Sequence, residues 1–350
     1  MIETKKVSPN SRRKEEHLRI ALNEDVAFRG LTTGFEEYYL LHQALPELDL
    51  RNVDLSTTFL GRSLRAPLVI SPMVGGVEEA AHINRNLATA AQAAGIAMSV
   101  GSLRCAIEDP TLAATYRVRN VAPDVLLFAN LGAVQLNRGY GPRECRAAME
   151  MVQADALTLH LNPLQEALQS GGDTDFAGLT DRIAAVCEAL DAPVFVKEVG
   201  WGISDATARR LIAAGVAGID VAGAGGTCWS EVERLRANDE KQANVAGAFT
   251  GWGIPTAESI RLVRQVAPEL PLIASGGIRT GVDVAKALAL GADIAGIATP
   301  LLKAANESAE RAREFIDEVV EGLRIAMFCA GIGSIDALKR TPCLKRRAME

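Results

Sequence analysis

The chain has 350 residues, 48% of them hydrophobic and 23% charged, with a formal net charge of −6. That length suits one large α/β domain with a full core plus an extension, and the negative balance argues against a non-specific nucleic-acid binder, which needs clustered positive charge. No apolar run reaches the roughly eighteen residues of a membrane span, and the polar start MIETKKVSPNSRRKEEH has no secretory h-region, so a cytoplasmic protein is expected.

The first residues, up to about 16, are polar, and the earliest of them are expected to be mobile on their own. Arg12, Arg13 and Lys14 form a basic cluster ahead of Glu15, Glu16 and His17. It reads as a solvated helix start or as an arm that carries cations to an anionic ligand. A helical stretch near Phe35–His42 comes next, then short β structure around Thr57, Thr58 and Phe59, with a turn at Leu60-Gly61-Arg62. Residues 1–65 are read as an arm and lead-in, and residues 66–350 as the main domain.

From Ala66 a unit repeats: a short apolar strand ending in a small or polar residue, then an Ala-rich helix. The strands are Leu68–Ser71, Ile96–Ser99, Val125–Asn130, Ala156–Leu161, Val194–Val199, Gly218–Val221, Leu272–Ser275 and Ile294–Ala298. Several intervening helices end at glycine (Gly95, Gly215, Gly291), a left-handed C-cap residue. Eight such units predict an α/β fold, a (β/α)8 TIM barrel with an N-terminal extension. A doubly wound sheet is the runner-up, but it more often opens with G-x-G-x-x-G, which is absent after the first strand. The connection from Gly223 to Thr256 is long, Gly-rich and charged, and reads as an active-site lid. A helix over Glu307–Ala330 closes the barrel, and Lys339–Glu350 is a basic tail. Six cysteines are scattered with no C-x-x-C pair and read as reduced packing residues.

Catalytic groups of such barrels sit at the C-terminal strand ends. The fourth end is the richest: His160, Asn162, Gln165 and Glu166 crowd the stop at Asn162-Pro163. Glycines after strands six and seven, Gly223 to Gly226 and Gly276-Gly277, let backbone N–H groups approach a phosphate, and Arg279 adds a cation. Lys197, in Val-Phe-Val-Lys-Glu-Val, points into the barrel by strand alternation and needs a polar partner there. It could be a Schiff-base nucleophile, a cation beside an electron-rich cofactor ring, or one half of an ion pair with a barrel carboxylate. Glu166 is the metal candidate. No His/Cys/Asp cluster has zinc spacing, whereas Mg²⁺ is often held by one carboxylate, waters and substrate phosphates. His160 then reads as a substrate ligand or a satisfied core histidine. No G-x-S-x-G elbow is present, which argues against a serine hydrolase.

These motifs resemble the type 2 isopentenyl-diphosphate isomerases, FMN-dependent barrel enzymes. The matching stretches run in order along the chain: Arg13-Lys14-x-Glu16-His17, Asn52–Gly76 ending in Met73-Val74-Gly75-Gly76, Val100-Gly101-Ser102, Ala129-Asn130-Leu131-Gly132, His160-Leu161-Asn162-Pro163-x-Gln165-Glu166, Val196-Lys197-Glu198-Val199-Gly200, Ala224-Gly225-Gly226-Thr227-x-Trp229, Trp252-Gly253-Ile254-Pro255-Thr256 and Gly276-Gly277-Ile278-Arg279-Thr280-Gly281. The resemblance implies FMN across the barrel mouth, its ring near Pro72, Met73, Val74, Ser102, Asn130 and Lys197, with Ala222 close by. Its phosphate would meet Thr227, Gly276, Gly277, Arg279, Ala298 and Thr299. The substrate diphosphate would be held by Arg13, Lys14 and Arg104 beside Ser102 and Leu103, and through Mg²⁺ by Glu166. Gln165 would face the isoprenoid carbons with His160 and Asn162 beside it, and Gln165, His160 and Lys197 are the catalytic candidates. NADPH would serve only to reduce the flavin. The family's arm reaches a neighbouring subunit's site, which implies a homo-oligomer, a tetramer or octamer. Two departures stand out: Val74 replaces the family's usual threonine, and Ala222 a frequent serine, so two hydroxyls are missing.

The competing expectation is an FMN-dependent oxidoreductase, either like a 2-hydroxy-acid oxidase or like inosine-monophosphate dehydrogenase. The latter would need a catalytic cysteine on the strand-six loop, where Cys228 stands. A further alternative is a barrel that binds flavin or phosphate without turnover.

Overall fold

Eight short apolar runs pair in parallel, in chain order, into a closed barrel in the computed structural model, which describes residues 9–347. They are β1 (Leu68–Ile70), β2 (Ala97–Ser99), β3 (Leu127–Gly132), β4 (Ala156–His160), β5 (Val194–Lys197), β6 (Gly218–Asp220), β7 (Leu272–Ala274) and β8 (Ile294–Ile297). The last strand pairs with the first, Ala295 opposite Leu68, so no edge is left open. The expected (β/α)8 fold is therefore the observed one.

Strand alternation sorts the barrel interior into layers. Val69, Ala97, Phe128, Ala156, Phe195, Ile273 and Ile294 form one apolar cluster, joined by Phe59 and Leu64. Those two come from a hairpin of Thr57–Phe59 and Arg62–Leu64, in which the turn expected over Leu60-Gly61-Arg62 is confined to Leu60-Gly61 because Arg62 already pairs with Phe59. The hairpin plugs the N-terminal end of the barrel. Two residues further along each strand the layer is polar: Ser71, Ser99, Asn130, Thr158, Lys197, Asp220 and Ser275 are all buried, with Gly296 at the eighth position. Apolar floor and polar mouth thus follow from a period of two.

Gly218 shows how tightly the floor is filled. A Cβ there would meet the Phe195 ring at 2.1 Å. Gly218→Ala is expected to destabilise the protein by about 1–3 kcal/mol through overpacking, read as a lowered denaturation midpoint.

Four helices matter for the site. Helix α1 (Pro9–Asn23) buries Leu18 and Ile20 and lies over the mouth. Helices α2 (Trp229–Arg236) and α3 (Glu240–Gly247) occupy the segment expected as a long lid loop. Helix α4 (Thr299–Glu307) begins at the end of β8 with proline in its first turn. The helix expected over Glu307–Ala330 is found at Ala309–Cys329, after a break at Ser308.

Two further expectations need correction. The stretch near Phe35–His42 is not helical beyond Phe35–Glu37, and Tyr38–Leu40 is a strand. Its antiparallel partner is Leu344–Arg346, so the basic tail is partly structured. The extreme start, expected to be mobile, lies outside the described residues. No helix among the described residues is long and apolar enough to cross a membrane.

Candidate active site

The polar ends of the strands open into a cavity of about 750 Å³. Its walls bring together Pro72, Met73, Val74, Ser102, Asn130, His160, Gln165, Lys197, Ala222 and Thr227, with Gly276, Gly277, Arg279, Ala298 and Thr299. Lys14 of α1 reaches in from above. Of the residues singled out in the sequence, Arg13, Leu103, Arg104, Asn162 and Glu166 stand behind this first wall.

One side of the cavity is an anion cradle. Gly276 and Gly277 have φ values of 105° and 73°, which a side chain would strain. A Cβ on Gly276 would also meet the Gly223 carbonyl oxygen at 2.1 Å. The Thr227 and Thr299 hydroxyls lie 2.5 Å apart beside them, and α4 starts at Thr299 with its N-terminus lining the cavity. Bare backbone N–H groups, two hydroxyls and a helix N-terminus suit a phosphate. The donor set thus fits the phosphate end of FMN.

The adjoining wall, after β1 and β2, suits a flat ring. Gly101 packs directly on Val74, and a Cβ there would lie 2.4 Å from its carbonyl oxygen. Asn84 fixes that carbonyl with a 3.2 Å hydrogen bond. Ala222, where the resemblance expects serine, holds φ at 37°, in the left-handed region.

Lys197 is 6% exposed and donates to the Glu198 backbone oxygen. Burial lowers its pKa, opposed by Asp220 and Glu198. The Glu198 carboxylate points elsewhere, taking the N–H groups of Val199, Gly200 and Trp201 at 2.5–2.6 Å. Burial raises it to about 7 despite those three bonds. Next to Lys197, at the end of the adjoining strand β4, His160 donates from Nδ1 to the Asn130 side-chain oxygen at 2.8 Å. Burial, with help from Lys197, Lys14 and Arg13, pulls its pKa to about 3. It is therefore neutral at physiological pH, with Nε2 as the lone-pair nitrogen. Between pH 6.5 and about 3 the unfolded chain takes a proton that the folded site refuses. Stability should therefore fall as pH drops through that window, and be fully retained above it.

Behind the wall lies a second polar group. Asn162 Nδ2 donates to Gln165 at 3.1 Å and to Glu166 at 2.9 Å. The other Glu166 oxygen accepts from Gln169 and from the Asp173 N–H at 2.7 Å. Arg13 reaches Gln169 at 3.2 Å, and Arg104 pairs with Asp173 at 2.9 Å and Glu108 at 2.8 Å. The Asn162 side-chain oxygen is buried with no partner. A carboxylate beside an orphaned amide oxygen is a hard-oxygen donor set that fits Mg²⁺. Among the described residues no group of three His, Cys, Asp or Glu side chains is placed to hold a metal. Any Mg²⁺ here would thus lean on substrate oxygens and water.

Lys14 donates to the Ser102 carbonyl at 2.7 Å and to the Tyr116 hydroxyl at 2.6 Å. Helix α1 is fastened by His17, 2.9 Å from buried Glu233, and by Glu16, 3.1 Å from Arg236. The arm that the resemblance sends to a neighbouring subunit lies here over its own barrel.

Sequence reading missed Asp220, Tyr116 and Glu233. Asp220 carried a signal, a lone carboxylate at an inward position of an apolar strand. Tyr116 and Glu233 carried none, because each meets its partner only through tertiary packing.

Cys228 does not join the site. It is 0% exposed, outside the cavity wall, with Sγ 2.9 Å from the Ser230 hydroxyl. Cys228→Ser is accordingly expected to keep most of the activity, measured as kcat/KM within about threefold of the parent, as for surface-distant substitutions without a chemical role.

The glycine cradle, the buried lysine and the parallel barrel define a class, barrels that hold a phosphate-bearing cofactor at the mouth. The sequence model of the family described as FMN-dependent dehydrogenase matches residues 10–120 and 134–346. Among curated relatives, proteins from Nostoc sp. and Synechococcus sp. are 53% and 54% identical over 334 and 333 residues, covering 95% of this chain and 95% and 96% of theirs. One from Stutzerimonas stutzeri is 52% identical over 339 residues, 96% of this chain and 97% of its own. All three are called isopentenyl-diphosphate delta-isomerase. The chain belongs to the FMN-dependent dehydrogenase family, within its isopentenyl-diphosphate delta-isomerase branch. Solved structures share the fold at lower identity. A mandelate oxidase variant with an FMN adduct gives a TM-score of 0.64 at 22% identity, over 96% of this chain and 92% of that one. A second mandelate oxidase structure gives 0.66 at 19%, over 97% and 100%.

Proposed function

We propose that this protein interconverts isopentenyl diphosphate and dimethylallyl diphosphate with FMN at the barrel mouth, the diphosphate held through Mg²⁺. The reaction moves one double bond, adding a proton at one allylic end and removing one at the other. It is redox-neutral, so NADPH is needed only to reduce the flavin. The observation that carries this reading is that one cavity joins a phosphate cradle to Lys197, His160 and Gln165. The identity of over 50% to proteins called isopentenyl-diphosphate delta-isomerase supports the substrate.

Reduced FMN would supply the proton-exchanging ring beside the alkene. The chain's own residues do the rest. Thr227, Gly276, Gly277, Arg279, Ala298 and Thr299 would hold the cofactor phosphate. Lys197 would present a positive charge to the ring edge, where negative charge is stabilised best when no solvent must reorganise. Neutral His160, fixed by Asn130, would offer Nε2 as an acceptor without bringing a second cation beside Lys197. Gln165 would press the isoprenoid carbons toward the ring and exclude water. Glu166 and the free Asn162 oxygen would hold Mg²⁺. Arg13 and Arg104 would exchange Gln169 and Asp173 for diphosphate oxygens, a stronger charge-assisted match for Arg13. Burial lowers the Lys14 pKa, and an arriving diphosphate would favour its charged form.

Of the two oxidoreductase alternatives, the inosine-monophosphate-dehydrogenase-like one loses support with the burial of Cys228 outside the cavity wall. An anaerobic assay with each component omitted in turn tests the proposal. Dimethylallyl diphosphate should form only with FMN, Mg²⁺ and reductant, without stoichiometric NADPH use. Steady turnover by oxidised FMN, with reductant absent, would remove the need for reduced flavin. No product from flavin-loaded protein would overturn the isomerase assignment. A homo-oligomer, tetramer or octamer, is part of the proposal and is checked by light scattering.

A further inference from the structure

The polar layer beneath the mouth holds one cation and one anion. Lys197 and Asp220 are Cα partners on neighbouring parallel strands β5 and β6, and both are buried, at 6% and 4% exposure. The other members, Ser71, Ser99, Asn130, Thr158 and Ser275, are neutral. Both residues line a void of about 10 Å³ just below the mouth, against the Phe128 and Phe195 rings. Lys197 also reaches the large cavity, and Asp220 does not. Asp220 is itself held in place, accepting from the Ser275 hydroxyl at 2.7 Å and the Ala222 N–H at 3.2 Å, both on Oδ1.

A lysine buried this deeply loses its proton unless an anion stays close. His160, the other strand neighbour of Lys197, supplies no negative charge whether protonated or not. Glu198, next in the chain, commits one carboxylate oxygen to three backbone N–H groups and is the smaller of the two influences that oppose the lowering. Asp220 is the larger and the only carboxylate of the layer itself. Burial pushes its own pKa up, while Lys197 and the Ser275 hydroxyl oppose that shift.

We propose that Asp220 is a positioning residue that keeps Lys197 charged at the barrel mouth, acting on the cofactor only through that lysine. This rests on the placement of Lys197 beside the flavin ring. Asp220 thus supplies the countercharge from below the large cavity, whose lining it does not join, so the ammonium is present before any negative charge develops above it.

The test is sulfite titration of the FMN-loaded enzyme. Sulfite adds to oxidised flavin and leaves negative charge on the ring, so its affinity reads the local cation without turnover. Lys197→Met, Asp220→Asn and Ser275→Ala are compared with the parent between about pH 6 and 9, each as a ratio at the same pH. Lys197→Met should weaken sulfite binding about tenfold or more at every pH, from the lost charge. Asp220→Asn should match it at the alkaline end and recover toward the parent as pH falls, because Lys197 regains its proton. Ser275→Ala should shift in the same direction by less, and it carries the test should Asp220→Asn fail to fold. An Asp220→Asn or Ser275→Ala curve superimposed on the parent, with Lys197→Met weakened, would overturn the role of Asp220 alone. A Lys197→Met curve equal to the parent would overturn the placement of Lys197, and this inference with it.

Discussion

Lys197→Met should lower kcat by roughly 10²–10³-fold with a much smaller change in KM, the cost of removing one preorganised charge from a dry site. Methionine keeps the length and the apolar stem, so the Phe195 layer below stays filled. The charge alone is lost, and with it the field on the ring. Steady-state kinetics at saturating FMN and Mg²⁺ separate the two parameters. A KM effect alone would mean that Lys197 contacts bound substrate instead. The same variant removes the cation that shares a small void with buried Asp220, whose own bonds to Ser275 and Ala222 remain, so a thermal midpoint should be recorded beside the rates.

Glu166→Gln should nearly abolish turnover at ordinary Mg²⁺ and raise the Mg²⁺ needed for half-maximal rate by roughly 10–100-fold. The carboxylate now accepts from Asn162, Gln169 and the Asp173 N–H. Glutamine can keep one carbonyl acceptor, but its amide nitrogen faces donors on the other side. The pocket therefore loses both a charge and a satisfied hydrogen bond. FMN affinity is expected to stay within about threefold of the parent, because the phosphate cradle lies across the cavity and distant sites act independently. Measuring metal activation and flavin binding on one preparation distinguishes a metal role from general unfolding.

Much of this was legible in the sequence because a barrel repeats one local rule. Each strand is apolar along its length and polar at its end, so Ser71, Asn130, His160, Lys197 and Ser275 could be placed at the mouth from spacing alone. The failures share a physical cause. Tyr38–Leu40 looked helical because its partner strand, Leu344–Arg346, is remote in sequence. The Gly223–Thr256 segment looked like a loop because α2 turns Glu231 and Glu233 inward, each about 1% exposed. Buried acids erase the apolar stripe by which an amphipathic helix is recognised. They are tolerated because Arg234, Arg236 and His17 meet them. The behind-the-wall positions of Arg104 and Glu166 depend on Asp173 and Gln169, which no motif marked.

The pairing of Tyr38–Leu40 with Leu344–Arg346 also sets a timetable. Arg346 bonds to Glu37 across 309 residues of chain. The eight barrel strands all precede Leu344 in the chain and can pair in the order in which they are made, but the lead-in segment cannot be clamped until Leu344–Arg346 has been made. Contacts of such separation form late. During translation the lead-in is therefore clamped after the barrel strands have been made, and a nascent chain stalled before Leu344 would hold all eight strands without that clamp.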